Sequence, residues 1–328
     1  MEVLYLSEAE VERLLTMEMA LEAVEAAFRH LAERQAQNHP RQRLQTAGGA
    51  LLHYMAAADD HLGYLGMKLY TSSPAGVRFL VPLYRGDTGA LVALLEADYL
   101  GRVRTGAASG VATKYMARAD ASRVGIIGTG HQAPTQLLAI AQVRRLTAVH
   151  VYSRTPERRT AFADRMSAAL SLPVEAVDTA EKAVRDADIV VTITSAREPV
   201  AQGAWLAPGT HINAAGVNSA RRRELDATAV ARADRIVVDS LEQSQQEAGD
   251  LIAAFGDQAD RWPRRRRGWQ QVRTLAEVVA GLVPGRETRE EITLFKSNGV
   301  ALEDVATAVR VYERAQAEGV GRRLQMWE

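Results

Sequence analysis

The sequence predicts an α/β protein in which a doubly wound parallel sheet is joined to a second, α+β unit. Three observations predict it. From about residue 120, apolar strand-like segments at 123–128, 148–153, 174–177, 188–194, 210–215 and 235–239 alternate with helical patterns. The first of them, Val124-Gly125-Ile126-Ile127, runs straight into Gly128-Thr129-Gly130-His131-Gln132-Ala133. That is the G-x-G-x-x-A turn of a Rossmann-type dinucleotide-binding unit. Before residue 100 the pattern is instead one of strands between turn signals, without regular helical crossovers.

The elements follow in order. Leu4-Tyr5-Leu6 precedes Ser7-Glu8-Ala9-Glu10, which has the form of a capping box. Val11, Leu14, Leu15, Met19 and Val24 then give a helical apolar face. Segments 51–55, 64–70 and 91–95 read as strands, separated by Gly48-Gly49, Asp59-Asp60 and Gly86-Asp87-Thr88-Gly89. In the Gly128 turn, Gly128 permits the tight bend, Gly130 lets backbone amides approach a pyrophosphate, and Ala133 lets the next helix pack close to the sheet. After Gly299, residues 301–319 read as a long amphipathic helix that returns to pack on the N-terminal unit. The expected units are 1–117 with 300–328, and 118–299.

Composition narrows the function. Lys+Arg and Asp+Glu both number 40, so no global field favours nucleic acid or an anionic membrane. The one basic cluster, Arg264 to Arg267 between Trp262 and Trp269, reads as a solvated loop. There are no cysteines, which removes thiolate nucleophiles and Cys-ligated zinc, and no metal site is expected. The N-terminus is acidic where a signal peptide is basic, and no apolar run reaches membrane-spanning length, so a cytoplasmic protein is expected.

Cofactor choice is read at the tip of the second strand, where an Asp or Glu would meet the ribose hydroxyls of NAD. Here the strand 148–152 ends in Ser153-Arg154-Thr155, with no carboxylate, and Glu157 follows a proline at the start of the next helix. Hydroxyls and a guanidinium suit a 2′-phosphate, so NADP(H) is expected over NAD(H). Thr105 and Gly106 are expected to open a helix and offer amides to the phosphates. Thr192, Thr194 and Ser195 either pass along the cofactor or cap the fourth strand.

The chain resembles the ornithine cyclodeaminase/mu-crystallin family over nearly its full length. The resemblance rests on Gly66-Met67-Lys68, Arg104 to Ser109, the Gly128 turn, Ile212 to Gly216, Arg223 to Asp226, Glu247 to Asp250, Phe295 to Gly299 and Ala301 to Asp304. It implies a homodimer whose N-terminal unit, joined by the last helix, binds substrate and builds the dimer interface. A Rossmann domain holds the cofactor, and the site lies between the two. It also implies hydride transfer at the α-carbon of a small amino or imino acid. The substrate carboxylate is then met by Lys68, Arg104 and an Arg of Pro40-Arg41-Gln42-Arg43. Alternation puts Arg41 and Arg43 on one strand face, so spacing does not choose between them; Arg43 is preferred. Lys68 and Arg104 stand among small or apolar residues, where a charge needs a partner. The same likeness places Gly216 and the Ser297–Gly299 turn beside the nicotinamide. Specificity is expected from Tyr54, Met55, Tyr70 and Val81.

One departure sets the expected reaction. The turn after the fifth strand carries an Asp in ornithine cyclodeaminases; here the matching residue is Asn218. An amide orients a water or an amine but accepts no proton at neutral pH. Glu224 and Asp226 are read as dipole partners of the next helix rather than replacement bases. The resemblance therefore points to an NAD(P)H-dependent reductase of a small, cyclic α-imino acid, with Lys68 or water as proton source. Ornithine cyclodeamination and a mu-crystallin-like role as an NADPH-dependent binding protein are the alternatives.

Overall fold

The computed structural model describes residues 2–256 and 268–327, so the Arg264–Arg267 run and Trp262 lie outside the described residues. The chain divides into two compact units, residues 1–108 with 299–328, and residues 109–298. The first crossing falls inside the helix Asp98–Met116, whereas the sequence pattern places it at 117.

In the second unit every strand is parallel, in the order Val174–Ala176, Ala148–Tyr152, Arg123–Ile127, Ile189–Thr192, His211–Ala214, Thr293–Lys296, Arg235–Val238, Arg273–Thr274. The strands at 189–192, 211–214 and 293–296 are buried at every position, as expected where both faces are covered. All six expected strands are present. The sequence pattern marks neither Thr293–Lys296 nor Arg273–Thr274 as a strand. The former enters last in sequence yet sits between the fifth and sixth strands. Its four residues include a lysine, so the local pattern carries no strand signal; Asp250, 3.2 Å from Lys296 Nζ, makes that burial tolerable.

The first unit is a mixed sheet in the order Arg322–Gln325, Glu2–Leu6, Leu91–Glu96, Gly76–Arg85, Tyr64–Ser73, Leu51–Asp59, Ala36–Asn38, with Gln42–Gln45 also on Leu51–Asp59. Helices Met17–Ala32 and Ala301–Glu318 pack together and against it. The capping box is present, with Ser7 N–H donating to Glu10 at 2.8 Å. The last helix buries Leu302, Val305, Val309 and Tyr312 together with Glu303 and Asp304, and ends at Gly319, in the left-handed conformation.

Candidate functional site

A cleft of roughly 660 Å³ opens at the carboxyl ends of the parallel strands. The strand order reverses there, between Arg123–Ile127 and Ile189–Thr192, which is where such sheets bind ligands. Gly128 leaves its strand at φ +116°, and a Cβ on it would lie 2.3 Å from the Ile193 carbonyl oxygen. The fold itself demands that glycine. Gly130 differs, because a Cβ there would meet nothing within 4 Å. Chain packing gives no reason for glycine at 130, whereas close approach of a ligand does. Helix Ala133–Val143 starts directly after the turn with Pro134 in its first turn, so its free amides face the same place. The residues present thus fit a dinucleotide. Gly130→Ala is expected to melt within a few degrees of wild type, as open-surface changes do, while weakening cofactor binding tenfold or more; fluorescence titration checks it.

Gly128 to Gly130 line this cleft together with Ser153, Arg154, Thr155, Arg158 and the segment Thr194 to Val200. His131 is exposed in the turn, Gln132 is the helix N-cap residue, and Ala133 is buried. Gly216 stands at the adjacent strand end, and its N–H donates to Glu224 at 2.8 Å. Ser297 is buried with its hydroxyl 3.3 Å from Asp239. Asn218 is exposed in the turn after the fifth strand.

Glu224 corrects the sequence reading. It does not start a helix; Asp226 does, capping Ala229 N–H at 2.8 Å. Glu224 is 0% exposed and accepts four hydrogen bonds. They come from Thr194 N–H at 2.6 Å, Thr194 Oγ1 at 2.7 Å, Gly216 N–H at 2.8 Å and Thr192 Oγ1 at 3.2 Å. Burial pushes its carboxyl above the usual range against the pull of Lys296. This one side chain ties the ends of the fourth and fifth strands together, including Thr194 in the cleft wall. No local pattern marks it, because its partners lie up to 32 residues away.

In the first unit the structure gathers a buried ionic cluster. Lys68 Nζ donates to Asp304 Oδ1 at 2.8 Å, and Arg104 Nε donates to the same oxygen at 2.9 Å. Arg104 NH1 donates to Glu303 Oε2 at 2.6 Å. Gly299, at φ +77°, makes room for this guanidinium, since a Cβ on it would lie 2.6 Å from NH1. Arg41 NH2 donates to the Gly299 carbonyl at 3.1 Å. All five charged side chains are buried. Burial, then the charge of Arg104, pull Lys68 down to about 8, with Asp304 partly opposing them. Arg104 stays charged: burial works against it, but Asp304 and Glu303 outweigh burial.

Two expectations change here. The strand begins at Gln42, so Arg41 precedes it and does not share its alternation; Arg41 is buried in the cluster and Arg43 is exposed. Thr105 and Gly106 do not open a helix. The helix opens at Asp98, where Glu8 accepts the Asp98 N–H at 3.1 Å, so the amides at 105 and 106 belong to its interior ladder. The Thr105 hydroxyl donates back to the Gly101 carbonyl at 2.7 Å. Met55 and Val81 are buried in the sheet face, while Tyr54 and Tyr70 are half-buried. Among the described residues no group of three His, Asp or Glu side chains is placed to hold a metal ion, and no helix is long and apolar enough to cross a membrane.

A doubly wound parallel sheet with a ligand-facing glycine turn defines a Rossmann-type dinucleotide-binding protein. More narrowly, the chain belongs to the ornithine cyclodeaminase/mu-crystallin family, which matches residues 1–319. It is similar to the Δ1-pyrroline-2-carboxylate reductase of Thermococcus litoralis, solved with NADH and L-proline. The TM-score is 0.92 and the identity 37%, over 98% of this chain and 100% of that one. An archaeal alanine dehydrogenase dimer with bound NAD has the same TM-score and identity, with both chains covered in full, 100% each. The iminosuccinate reductase of Paracoccus denitrificans, solved with NAD+, follows at TM-score 0.91 and 34% identity, over 99% of this chain and 100% of that one.

Proposed function

We propose that this protein is a nicotinamide-dependent oxidoreductase that reduces a small α-imino acid, or interconverts an amino acid with its imine or keto acid. The observation that carries the proposal is the convergence of buried cations on Gly299 and the start of the last helix. Three cations, Arg41, Lys68 and Arg104, stand against two carboxylates, Glu303 and Asp304. Cations gathered this closely in a buried place suit a substrate carboxylate. Arg104, fixed by both acids, and Arg41 orient that carboxylate. Lys68, its ammonium pulled down to about 8, holds a proton for the imine nitrogen. When bound, the cofactor supplies the hydride. The α-carbon takes it as the C=N π bond breaks, and the nitrogen takes the proton. The backbone at Gly128, Gly130 and the start of the helix at 133 would hold the pyrophosphate, and Thr194 and Gly216 would border the nicotinamide side.

NADP(H) is the preferred form in this reading, although the solved relatives carry NAD(H) or NAD+. Ser153, Arg154, Thr155 and Arg158 line the adenosine side of the cleft, and this favours a 2′-phosphate. Arg154→Ala is expected to raise the NADPH Kd by roughly tenfold, the scale of one charge-assisted contact, and to leave the NADH Kd nearly unchanged. Equal losses for both cofactors count against the preference. A homodimer is part of the proposal, in line with the archaeal relative.

The experiment is a spectrophotometric screen. NADPH and NADH oxidation is followed with pyrroline- and piperideine-2-carboxylate and with 2-oxo acids plus ammonia. Stoichiometric loss of reduced cofactor with an imine is the expected result. Turnover of ornithine to proline and ammonia without net cofactor change would overturn it. Asn218, which cannot act as a base, weighs against that outcome.

A further inference from the structure

Next to the buried cluster the same sheet face carries a second row of side chains. Cross-strand partners Arg43↔His53, His53↔Tyr70 and Tyr70↔Phe79 run across four strands. Direct partners in antiparallel strands share a face, so these four lie together. The neighbouring row contains Met55↔Lys68, two residues along the same strands. Lys68 Nζ sits 5.2 Å from the centroid of the Phe79 ring, which joins the two rows.

His53 is the informative member. Its ring is stacked on Tyr70 at 4.2 Å with an interplanar angle of 3°. Its Nε2 is 3.2 Å from Ser72 Oγ. The residue is only 9% exposed, yet among the described residues Nδ1 has no hydrogen-bond partner. A buried ring nitrogen left without a partner costs free energy, and native structures normally supply the missing group. With the Ser72 hydroxyl donating to Nε2, Nδ1 carries the hydrogen and seeks an acceptor. The charges around it define that acceptor. Burial, then Arg43 and Arg41, hold the imidazole down to about 4, so both guanidinium charges act at His53. A neutral donor whose cross-strand partner is the cation Arg43 suits an anion.

We infer that His53 and Arg43 form a second anion subsite, one row from the α-carboxylate clamp, which receives a carboxylate at the end of the substrate side chain. The inference rests on the proposed imine-reductase reading and deepens it, because it names the substrate as an α-imino dicarboxylic acid. The spacing agrees. Two residues along a strand span roughly 7 Å. A four-carbon chain with a carboxylate at each end, extended by charge-assisted hydrogen bonds of about 2.8 Å, bridges that distance. Tyr70 and Phe79 flank the path with apolar surface suited to the intervening methylene. Arg41 NH2 lies 3.8 Å from Met55 Sδ, in the row of Lys68 and two residues along the strand from His53.

Two measurements test it. The first compares kcat/KM for 2-oxobutanedioate plus ammonia with that for 2-oxopropanoate plus ammonia, in wild type and in Arg43→Ala and His53→Phe. The dicarboxylate is expected to be preferred at least tenfold by wild type. Each substitution is expected to cut that ratio by about tenfold or more. A wild-type preference for the monocarboxylate or for a cyclic imine overturns the inference, as does a ratio that Arg43→Ala leaves unchanged. The second measurement is calorimetric binding of the unreactive acids succinate and propionate to the cofactor-loaded protein. Succinate is expected to bind at least tenfold tighter, with the advantage lost in Arg43→Ala; equal affinities overturn the subsite. Selective succinate binding without turnover of any imine would sink the enzymatic reading and leave the subsite standing.

Discussion

Arg104→Met is expected to destabilise the protein by about 3–5 kcal/mol and to abolish turnover, the cost that removal of one member of a buried ion pair typically carries. The residue holds two fully buried acids at once, through Nε to Asp304 at 2.9 Å and NH1 to Glu303 at 2.6 Å. Methionine fills much of the volume but donates nothing, so two carboxylates are left to share Lys68 and Arg41. The cluster also loses one of its cations. A substrate carboxylate then lacks one of the cations that orient it. Urea denaturation should show a lower midpoint with an unchanged slope. The double variant Arg104→Met with Glu303→Gln should recover part of the stability, because one uncompensated charge has gone, but none of the activity. A midpoint equal to wild type would mean that Glu303 and Asp304 are held by groups other than Arg104.

How far the sequence foretells this cluster depends on which side of each ion pair is considered. Lys68 and Arg104 are legible because each sits among residues that cannot solvate a charge. Glu303 and Asp304 are not. Two acids at the start of an amphipathic helix look like partners of its dipole, and only the packing of that helix near the strand of Lys68 and the helix of Arg104, 236 and 200 residues before Asp304, reveals their cations. Arg41 is hidden for a smaller reason, a strand that begins one residue later than alternation assumes. The parallel sheet is legible where its strands are continuous apolar runs. Thr293–Lys296 escapes because its burial depends on Asp250, whose position is fixed by the N–H groups of Glu224 and Leu225 at 2.6 and 2.9 Å. Those contacts are long-range, and residue spacing does not encode them.

Lys68→Met is expected to lower kcat for imine reduction by about 10²–10⁴, the usual range for losing a general acid. The wild-type pH profile identifies that acid. Lys68 is pulled down to about 8 by burial and by Arg104, so it is charged below that pH and neutral above it. An acid must carry its proton. kcat/KM for reduction, which reports the free enzyme, should therefore be flat below about 8 and fall as pH rises through it. Oxidation of the amino acid needs the neutral amine as base, so its kcat/KM should rise over the same interval. Bound substrate brings a carboxylate into the cluster, and a nearby anion favours the ammonium. The descending limb of kcat should accordingly lie at higher pH than that of kcat/KM. The gap between the two limbs reads the interaction of Lys68 with the substrate carboxylate, at 1.36 kcal/mol per unit of displacement. In Lys68→Met both limbs should vanish together. If they persist in the variant, the proton comes from water and Lys68 serves the carboxylate alone; its loss would then raise KM and leave kcat nearly intact.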